Sequence, residues 1–236
     1  MSIIVLILAL LHCLACSGNI SYHQPYSPYF SQTGQDKFLD EVIFKGKENG
    51  VFIDVGAHDG ISFSNTYYFE KARNWTGICI EPHPDRFKEL QKNRSAYCYG
   101  ACAGNYNGIV EFLKIEGPAE MLSGIYTFYD PRHLARIEKE IALYGGASFL
   151  IEVPVRTISS MLEECNITYV DFISIDVEGG EKNVLEGIDF NRFYIEYILL
   201  ENNKYPGAFD QIAQLLIHHG YRHLYSIGYD ELFVKN

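Results

Sequence analysis

The sequence predicts an α/β fold in which a mostly parallel sheet is doubly wound, with helices on both of its faces. Strand-like and helix-like segments alternate along most of the chain, which is the pattern of consecutive βαβ units. Two segments, FISID (172–176) and YILLE (197–201), are almost continuously apolar, as expected of central strands that are buried on both faces. In a third segment, VFIDVGAHDG (51–60), a strand runs directly into a glycine loop, as at many ligand sites of α/β proteins.

The hydrophobic pattern places five strands and their connecting helices in order. The strands are predicted at Val51–Val55, Thr76–Glu81, Ala96–Ala101, Val170–Asp176 and Tyr197–Glu201. Helices are expected near Ser62–Ala72, Pro84–Asn93, Ser159–Glu164, Glu181–Gly187 and Phe209–His219. A further helix is expected over Gln35–Lys45, where apolar residues recur at helical spacing. The C-terminal residues 221–236 are expected to form an antiparallel hairpin around Gly228.

Length and composition limit the chain to one main domain. With 236 residues, 47% of them hydrophobic, it can bury one sizeable core. We assign that domain to residues 35–236 and interpret residues 18–34, which contain aromatic residues and prolines, as a linker packed onto it. The long segment 103–169 separates the third predicted strand from the fourth. In a doubly wound sheet such an insertion is expected to cover the carboxyl ends of the strands, as a lid on the ligand site.

The N-terminal residues 1–17 are predicted to be a signal peptide. An apolar run from Ile3 to Cys16 is short for a membrane span and is followed by small residues, with Ala15 and Ser17 in a cleavage-like pattern. No Lys or Arg precedes the run. The alternatives are a retained signal-anchor and a buried N-terminal helix or strand. A stable membrane span is expected only if this segment is retained.

Glycosylation motifs favour the same compartment. Four Asn-x-Ser/Thr sequons begin at Asn19, Asn74, Asn93 and Asn166, whereas about one is expected by chance in a chain of this composition. The sequence therefore predicts a secretory-pathway glycoprotein, either secreted or retained in the lumen of the endoplasmic reticulum or Golgi.

Cysteine usage leaves the redox state open. Removal of the signal peptide would leave four cysteines, Cys79, Cys98, Cys102 and Cys165. Four cysteines allow three pairings, and the sequence does not choose among them. Cys79 lies inside an apolar strand, where a free buried thiol is the commonest state. The spacing does not match a zinc site.

The charge of the chain argues against one class of partner. The formal net charge is −11, and a strongly acidic protein repels the phosphate backbone of nucleic acids. Nucleic-acid binding is therefore not expected.

The glycine loop differs from a dinucleotide site. It reads Gly56-Ala-His-Asp-Gly60, which lacks the middle glycine of the dinucleotide pattern, and it is preceded by Asp54 and contains Asp59. Two carboxylates beside a pyrophosphate would be electrostatically costly. S-adenosylmethionine has no phosphate and carries an ammonium and a sulfonium, so a carboxylate at the end of the strand attracts it. Asp54, Gly56 and Gly60 are therefore candidate cofactor-binding residues.

A second acid extends the candidate site. Glu81 ends the next strand, a little over 20 residues past the loop, where a carboxylate can accept hydrogen bonds from both hydroxyls of a ribose. His58 is a further candidate for the cofactor pocket, with a solvent-facing position as the alternative, and His83 is expected at the surface. The simpler alternative is that the glycines form only a turn and that Asp59 caps the following helix.

A second group of acids follows the later strands. Asp176 ends one apolar strand, Glu178 follows it in the segment DVEGGE, and Glu201 and Asn202 end the next strand. Asp176 and Glu178 are candidate general bases. Asp176, Glu201 and Asn202 could together hold a hard cation such as Mg²⁺, because parallel strands end at one edge of the sheet. Catechol-type O-methyltransferases have a similar pattern. The alternative is purely structural: Glu181 begins a helix and Glu201 contacts neighbouring backbone.

Three segments carry a resemblance to a known family. VFIDVGAHDG, WTGICIEPHPDRF and FISIDVEGGEKNVLEGI together resemble the FkbM family of S-adenosylmethionine-dependent methyltransferases, over roughly residues 31–235. SQTGQDKFLDE and SNTYYFEKARNWTGICIEP are similar to an animal and viral branch that includes Star-like secretory-pathway proteins. The resemblance implies a Rossmann-like class I methyltransferase fold, and O-methylation of a hydroxyl, often on a sugar or polyketide.

The family resemblance also implies roles for particular residues. It places Asp54, Gly56 and Gly60 at the methionine end of S-adenosylmethionine, with Glu81 at the ribose. Ala101 and Cys102, where the third strand ends, would approach the adenine. The sequence departs from the family at Gly104, where relatives often carry an acid.

The leading hypothesis is thus a methyltransferase that uses S-adenosylmethionine to methylate a hydroxyl of a glycan or small molecule. The alternative from another class is a non-catalytic Star-like trafficking or binding protein that retains the fold. An NAD-linked reductase is the third hypothesis, and the two acids of the glycine loop argue against it.

Overall fold

The computed structural model describes residues 28–202 and 208–236. The predicted signal peptide, the sequon at Asn19 and residues 18–27 of the predicted linker lie outside the described residues, so these remain predictions. Within the described part of the chain, no helix is both long enough and apolar enough to cross a lipid bilayer.

Seven strands form the main sheet, in the spatial order β10-β11-β9-β8-β1-β2-β3. They are β1 (Val51–Val55), β2 (Thr76–Ile80), β3 (Tyr97–Tyr99), β8 (Tyr169–Ile175), β9 (Tyr194–Glu201), β10 (Tyr221–Ile227) and β11 (Asp230–Lys235). The five strands from β9 to β3 pair in parallel, whereas β11 is antiparallel to both β9 and β10. The predicted parallel sheet and its C-terminal hairpin are confirmed.

Helices pack on both faces of this sheet. They are α1 (Gln35–Phe38), which continues as a π-helical turn over Leu39–Ile43, α2 (Tyr67–Ala72), α3 (Pro84–Asn93), α5 (Ile158–Glu164), α6 (Glu181–Glu186) and α7 (Ala208–His218). Alternate strand residues serve two cores: Ile53 and Ile173 belong to one, and Phe52 and Phe172 to the other. Both faces are buried, which explains the continuous apolar runs in the central strands.

A smaller sheet stands beside the main one. Its order is β4-β7-β5-β6, built from β4 (Cys102–Ala103), β5 (Gly108–Glu116), β6 (Gly124–Ile125) and β7 (Ala147–Arg156). Helix α4 (Pro131–Tyr144) packs on it through Ile137. These elements lie within the predicted insertion 103–169, but α5, from the same segment, contributes Ile158, Met161 and Leu162 to the main core. The insertion is therefore partly a second sheet and partly main-domain helix.

Helix α2 begins later than predicted. The pattern placed its start near Ser62, but the helix starts at Tyr67. The hydroxyl groups of Ser64 and Thr66 donate instead to the carboxylate of Asp54. Serine and threonine side chains that bond elsewhere compete with helix formation, so residues 61–66 stay in a turn-rich loop against the end of β1.

The described residues of the predicted linker are packed onto the domain. The Asp36 carboxylate accepts hydrogen bonds from the backbone amides of Phe30 and Ser31. Asp40 accepts two hydrogen bonds from Arg73, at 2.8 Å each, and one from the hydroxyl of Tyr29 at 3.0 Å. This segment is therefore held by polar contacts as well as by its aromatic rings.

The structure also places the cysteines and three of the sequons. Cys79, Cys98, Cys102 and Cys165 are free thiols, and Cys79 is fully buried as predicted. Asn74 and Asn166 are exposed. Asn93 is half-buried, and its side-chain amide donates to the carbonyl of Asp59 at 2.8 Å.

Candidate functional site

A cavity of about 290 Å³ opens at the carboxyl ends of the central strands. The loops after β1, β2 and β8 line it from the main sheet, and residues 120–125 line it from the smaller sheet. Its volume is close to the lower end of the usual range for small-molecule sites, roughly 300–1,000 Å³. Ligands of doubly wound proteins bind at this edge of the sheet, so the cavity is the candidate active site.

Close packing explains both glycines of the loop. Gly56 has φ +85°, and a Cβ atom there would lie 1.9 Å from the carbonyl oxygen of Asp176. Gly60 has φ +84°, and a Cβ atom would lie 2.7 Å from the Cγ of Arg94. Because only glycine adopts these angles easily and leaves this space, the loop turns tightly against the end of β8 and the end of α3.

Asp54 is buried beneath the loop and is already paired. Its Oδ2 accepts from the hydroxyls of Ser64, at 3.1 Å, and Thr66, and lies 3.5 Å from Nη1 of Arg94. The Arg94 side chain is fully buried and also contacts Glu70 at 2.6 Å. Arg94 therefore offsets part of the charge of Asp54, so this carboxylate discriminates against phosphate less than its sequence position alone implied. Nothing in the sequence marked Arg94, because a basic residue at a helix end usually lies in solvent.

Glu81 is buried at the end of β2 and held by two backbone amides. Its Oε2 accepts from the amide of His58 at 2.8 Å, and its Oε1 from the amide of His83 at 2.7 Å. Burial raises the pKa of Glu81 to about 7, although the two amide donors favour the ionised form. Each oxygen has a second lone pair, so the carboxylate can still accept hydrogen bonds from a ribose.

His83 is not at the surface, contrary to the sequence prediction. It is buried at the start of α3, where its Nδ1 accepts from the amide of Asp85 at 3.3 Å, and its Nε2 lies 3.2 Å from the carbonyl oxygen of Ile115. Burial lowers the pKa of His83. The ring therefore caps the helix that follows Glu81 and joins it to the smaller sheet.

His58 lines the cavity, in a left-handed conformation with φ +49°. Its Nε2 is 3.4 Å from Oε1 of Glu120, and its Nδ1 is 3.7 Å from Oδ1 of Asp59. Neither ring nitrogen has a hydrogen-bond partner among residues 28–202 and 208–236. Glu120 also approaches Nε of Arg86 at 3.4 Å, so the smaller sheet touches both the glycine loop and α3 across the cavity. No sequence pattern predicted this contact, because it joins residues far apart in the chain.

Ala101 and Cys102 also line the cavity, at the exit of β3. Both are buried, and burial raises the pKa of the Cys102 thiol. They present a small apolar wall beside Glu81. Gly104 lies against Val155, whose Cγ2 would be 2.8 Å from an added Cβ atom, so a residue with a side chain would not fit here without rearrangement.

Three carboxylates face one another at the opposite side of the cavity. One oxygen from each of Asp176, Glu178 and Glu201 lies within 4.8 Å of the others. Asp176 is exposed where it lines the cavity, whereas Glu178 and Glu201 are half-buried. Burial, and then the charges of Glu201 and Glu178, raise the pKa of Asp176. Burial and Glu201 raise the pKa of Glu178 to about 8.

The structure brings Glu178 into this group in place of Asn202. Glu201 ends β9 and lines the cavity, whereas Asn202 does not, and its amide donates to Oε1 of Glu231 at 3.0 Å. β9 ends at Glu201, so Asn202 already lies beyond the strand. The structure thus groups Asp176, Glu178 and Glu201 as the carboxylates at this edge of the sheet, and the predicted metal role of Asp176, Glu201 and Asn202 stays a prediction.

The residues that line the cavity fit the two ligands that the sequence predicted, S-adenosylmethionine and a divalent cation. Glu81 offers lone pairs to ribose hydroxyls, the loop offers a close backbone approach, and Ala101 and Cys102 offer a small apolar wall. The three carboxylates offer oxygen ligands at a spacing that suits a hard divalent cation. They could also bind or remove a proton.

Sequence comparison assigns the chain to a family. The profile described as Methyltransferase FkbM domain matches residues 54–223, most of the chain. The chain belongs to the FkbM methyltransferase family. This match includes the glycine loop, Glu81, the DVEGGE segment and Glu201. No curated protein sequence matches the chain.

Several solved methyltransferase structures are similar to this chain. An FkbM methyltransferase from Methylobacillus flagellatus KT is 16% identical, with a TM-score of 0.47, over 84% of this chain and 50% of that chain. This FkbM protein thus spans half the length of that relative. Aeropyrum pernix fibrillarin with natively bound S-adenosyl-L-methionine is 13% identical, with a TM-score of 0.45, over 88% and 74% of the two chains.

A TehB-like S-adenosylmethionine-dependent methyltransferase from Corynebacterium glutamicum ATCC 13032 is 11% identical, with a TM-score of 0.44, over 87% of this chain and 89% of that one. The order and directions of the strands in the main sheet, together with the family match, give the FkbM protein a Rossmann-like class I methyltransferase fold, as predicted. Family membership supports S-adenosylmethionine as its cofactor.

Proposed function

We propose that this FkbM-family protein is an O-methyltransferase that methylates a hydroxyl of a glycan or small molecule. The observation that carries the proposal is the group of carboxylates, Asp176, Glu178 and Glu201, at the edge of the cavity. An alcohol hydroxyl holds its proton tightly and must lose it on methylation, so an O-methyltransferase needs a proton acceptor beside the methyl donor.

The other side of the cavity is proposed to hold the cofactor. Glu81 would accept the ribose hydroxyls, Ala101 and Cys102 would contact the adenine, and the loop from Gly56 to Gly60 would contact the methionine end. When bound, S-adenosylmethionine supplies an electrophilic methyl group on its sulfonium. The protein then has to orient the acceptor and exclude water from the reacting atoms.

The acids are suited to accept a proton near neutral pH. Like charges this close disfavour full ionisation, so Asp176 and Glu178 keep a proton in a pH range where isolated carboxyls have lost theirs. Their conjugate bases are therefore stronger than ordinary carboxylates. The ionised member of this pair would accept the hydroxyl proton, and the neighbouring protonated carboxyl would donate a hydrogen bond to it.

The smaller sheet is proposed as the acceptor side. Phe128 and residues 120–125 line the cavity across from the main sheet. The Phe128 ring is half-buried, so it offers an apolar face on which the ring of a sugar or small molecule can pack.

Binding and transfer can be tested separately. Isothermal titration of the full chain with S-adenosylhomocysteine is expected to show a single site. Absence of heat at high micromolar ligand would favour the non-catalytic binding protein over the enzyme. Labelled S-adenosylmethionine with a panel of glycans and small hydroxyl compounds should then transfer label to an acceptor hydroxyl. Label found on nitrogen would exclude the O-methyl assignment and leave the methyltransferase assignment intact.

The same three carboxylates support a proposal of Mg²⁺ binding. A divalent cation among them would neutralise their mutual repulsion and orient an acceptor oxygen. Activity should then disappear on exhaustive chelation and return with Mg²⁺. Activity that survives chelation would assign proton removal to the carboxylates alone.

A secretory-pathway location remains a proposal based on the N-terminal sequence and the sequons. The exposed positions of Asn74 and Asn166 are compatible with glycosylation. The mature chain should begin near Cys16–Asn19 and shift in mobility after glycosidase treatment. An intact Met1 would contradict cleavage.

A further inference from the structure

We propose that Asn93 and Arg94, at the end of α3, are positioning residues that hold the glycine loop in the shape that orients Glu81. The inference rests on the proposed binding of S-adenosylmethionine. It concerns two residues outside the glycine loop and outside the strand ends, and it assigns them a role in cofactor affinity.

The loop needs support because its backbone is in a costly conformation. His58, within the loop, has φ +49°, and Phe63, in the segment 61–66 that follows it, has φ +56°. Left-handed angles are unfavourable for residues with a Cβ atom, and most of all for a bulky one such as phenylalanine, so they persist only where surrounding contacts impose them. The contacts that impose this shape are therefore part of the binding site.

Two neighbouring side chains of α3 bind two neighbouring carbonyls of the loop. The amide of Asn93 donates to the carbonyl of Asp59 at 2.8 Å. Nη1 of Arg94 donates to the carbonyl of Gly60 at 3.1 Å, and its Nη2 donates to the hydroxyl of Thr66 at 2.8 Å. The loop is thus fixed from the side that faces away from the cavity.

Helix α3 is connected to the Glu81 carboxylate in two ways, one at each end of the helix. At its start, the amide of His83 donates to Oε1 of Glu81 at 2.7 Å. At its end, Asn93 and Arg94 fix the loop, whose His58 amide donates to Oε2 of Glu81 at 2.8 Å. Loss of the second route would leave Glu81 with one amide donor and freedom to rotate.

The two residues differ in what their removal would cost. Arg94 is fully buried between Asp54 and Glu70, so its loss would leave the buried Asp54 carboxylate without this cation, would leave Glu70 with Lys71 alone, and would endanger folding. Asn93 is half-buried and uncharged, and water can take over its hydrogen bonds. Asn93→Ala is therefore the informative variant, and it also removes the sequon at this position.

The test is isothermal titration of the full chain with S-adenosylhomocysteine. Asn93→Ala is expected to weaken binding about 3- to 10-fold, the equivalent of one net hydrogen bond, with a melting temperature close to that of the wild type. The matched control is Asn191→Ala, an exposed asparagine in the turn before β9, which should bind as the wild type does. An unchanged affinity in Asn93→Ala would overturn the inference.

A double-mutant cycle separates positioning from general destabilisation. If Asn93 acts through Glu81, Asn93→Ala should have little further effect on affinity in a Glu81→Gln background. Equal losses in both backgrounds would contradict the route through Glu81. Arg94→Lys, which keeps the charge and loses the forked donors, should weaken binding at least as much as Asn93→Ala if it folds. If the wild type itself gives no heat, the proposed cofactor assignment fails, which is a different outcome from a wild type and Asn93→Ala that bind equally.

Discussion

The two sides of the cavity differ in the partners of their acidic side chains. On the glycine-loop side, the buried acids have partners: Arg94 pairs with Asp54, and two backbone amides bind Glu81. On the other side, Asp176, Glu178 and Glu201 converge within 4.8 Å, and their mutual repulsion and burial raise the pKa of Asp176 and of Glu178. Burial raises the pKa of Glu81 on the first side as well, but the acids of the second side also repel one another, and a proton or a cation would reduce that repulsion. On this second side, Nε2 of His133 lies 3.6 Å from Oε2 of Glu178.

In the proposed function, this difference separates cofactor binding on the first side from proton removal on the second. A side whose dipoles are already arranged can hold a cofactor without reorganising. A side that holds carboxylates in mutual repulsion pays a folding cost, and such a cost is typical of functional sites. Variants on the first side should therefore change cofactor affinity, and variants on the second should change methyl transfer.

The largest effect is expected at Asp176. Asp176→Asn removes the proposed proton acceptor and should lower methyl transfer on the order of 10²- to 10⁴-fold. Its affinity for S-adenosylhomocysteine should stay within about twofold, since no lost contact is expected. Transfer of label and titration calorimetry measure the two quantities, with the exposed Glu186→Gln as the control. Full activity in Asp176→Asn would remove this residue from the mechanism.

Glu81 should show the reverse behaviour. Glu81→Ala removes the acceptors for the ribose hydroxyls and should weaken S-adenosylhomocysteine binding by about 1–3 kcal/mol, or roughly 5- to 150-fold. Gln91→Ala, an exposed position on α3, serves as the control in the same titrations. Wild-type affinity in Glu81→Ala would show that the ribose lies elsewhere.

The pH dependence of S-adenosylhomocysteine binding is a second test of Glu81 as the ribose-binding residue. Ribose hydroxyls donate to the carboxylate and so favour the ionised form of Glu81, whose pKa in the free protein is raised to about 7. Affinity should therefore fall as the pH drops below 7, by up to about tenfold per unit for one coupled proton. Calorimetry between pH 5.5 and 8 measures the slope (about one proton is expected). Glu81→Gln should abolish it, and a slope that persists in that variant would assign the proton to another group.

The smallest effect is expected at Asp230, whose burial lowers the stability of the folded protein at high pH. Burial raises the pKa of Asp230 to about 6, so the ionised form is disfavoured in the folded state. The stability that this residue contributes is present below its unfolded pKa, near 4, and is lost as the pH rises through about 6. Asp230→Asn should therefore raise the melting temperature at pH 8, on the order of 2–4 °C, and have little effect at pH 4. Equal melting temperatures at pH 8 would contradict this cost.

Much of the fold followed from local pattern. The apolar runs located the central strands to within a few residues, because a strand that is buried on both faces must be apolar along nearly all of its length. The helix at Pro84–Asn93 was predicted with its observed bounds, since proline begins it and the apolar spacing continues it. The start of α2 was missed because Ser64 and Thr66 bond to Asp54, which is a contact between elements and not a local preference.

The candidate site was predicted less completely. Glu81, Asp176 and Glu201 line the cavity as their strand-end positions implied. The predicted metal role of Asn202 stays a prediction, and its side-chain amide donates to Glu231 on the neighbouring strand β11. His83 was misplaced because burial of a histidine depends on what packs over it, here the carbonyl of Ile115 from the smaller sheet.

The sequence by itself determined the order of strands and helices, the glycine loop, the acids at the strand ends and the family, because these depend on residue type and on spacing along one stretch of chain. Only the tertiary structure decided which acids are neutralised and which repel one another. Arg94 lies 40 residues from Asp54, and Glu201 lies 25 residues from Asp176. The charge state of a carboxyl depends on distances of a few ångströms between such residues and on burial, and neither can be read from their positions in the chain.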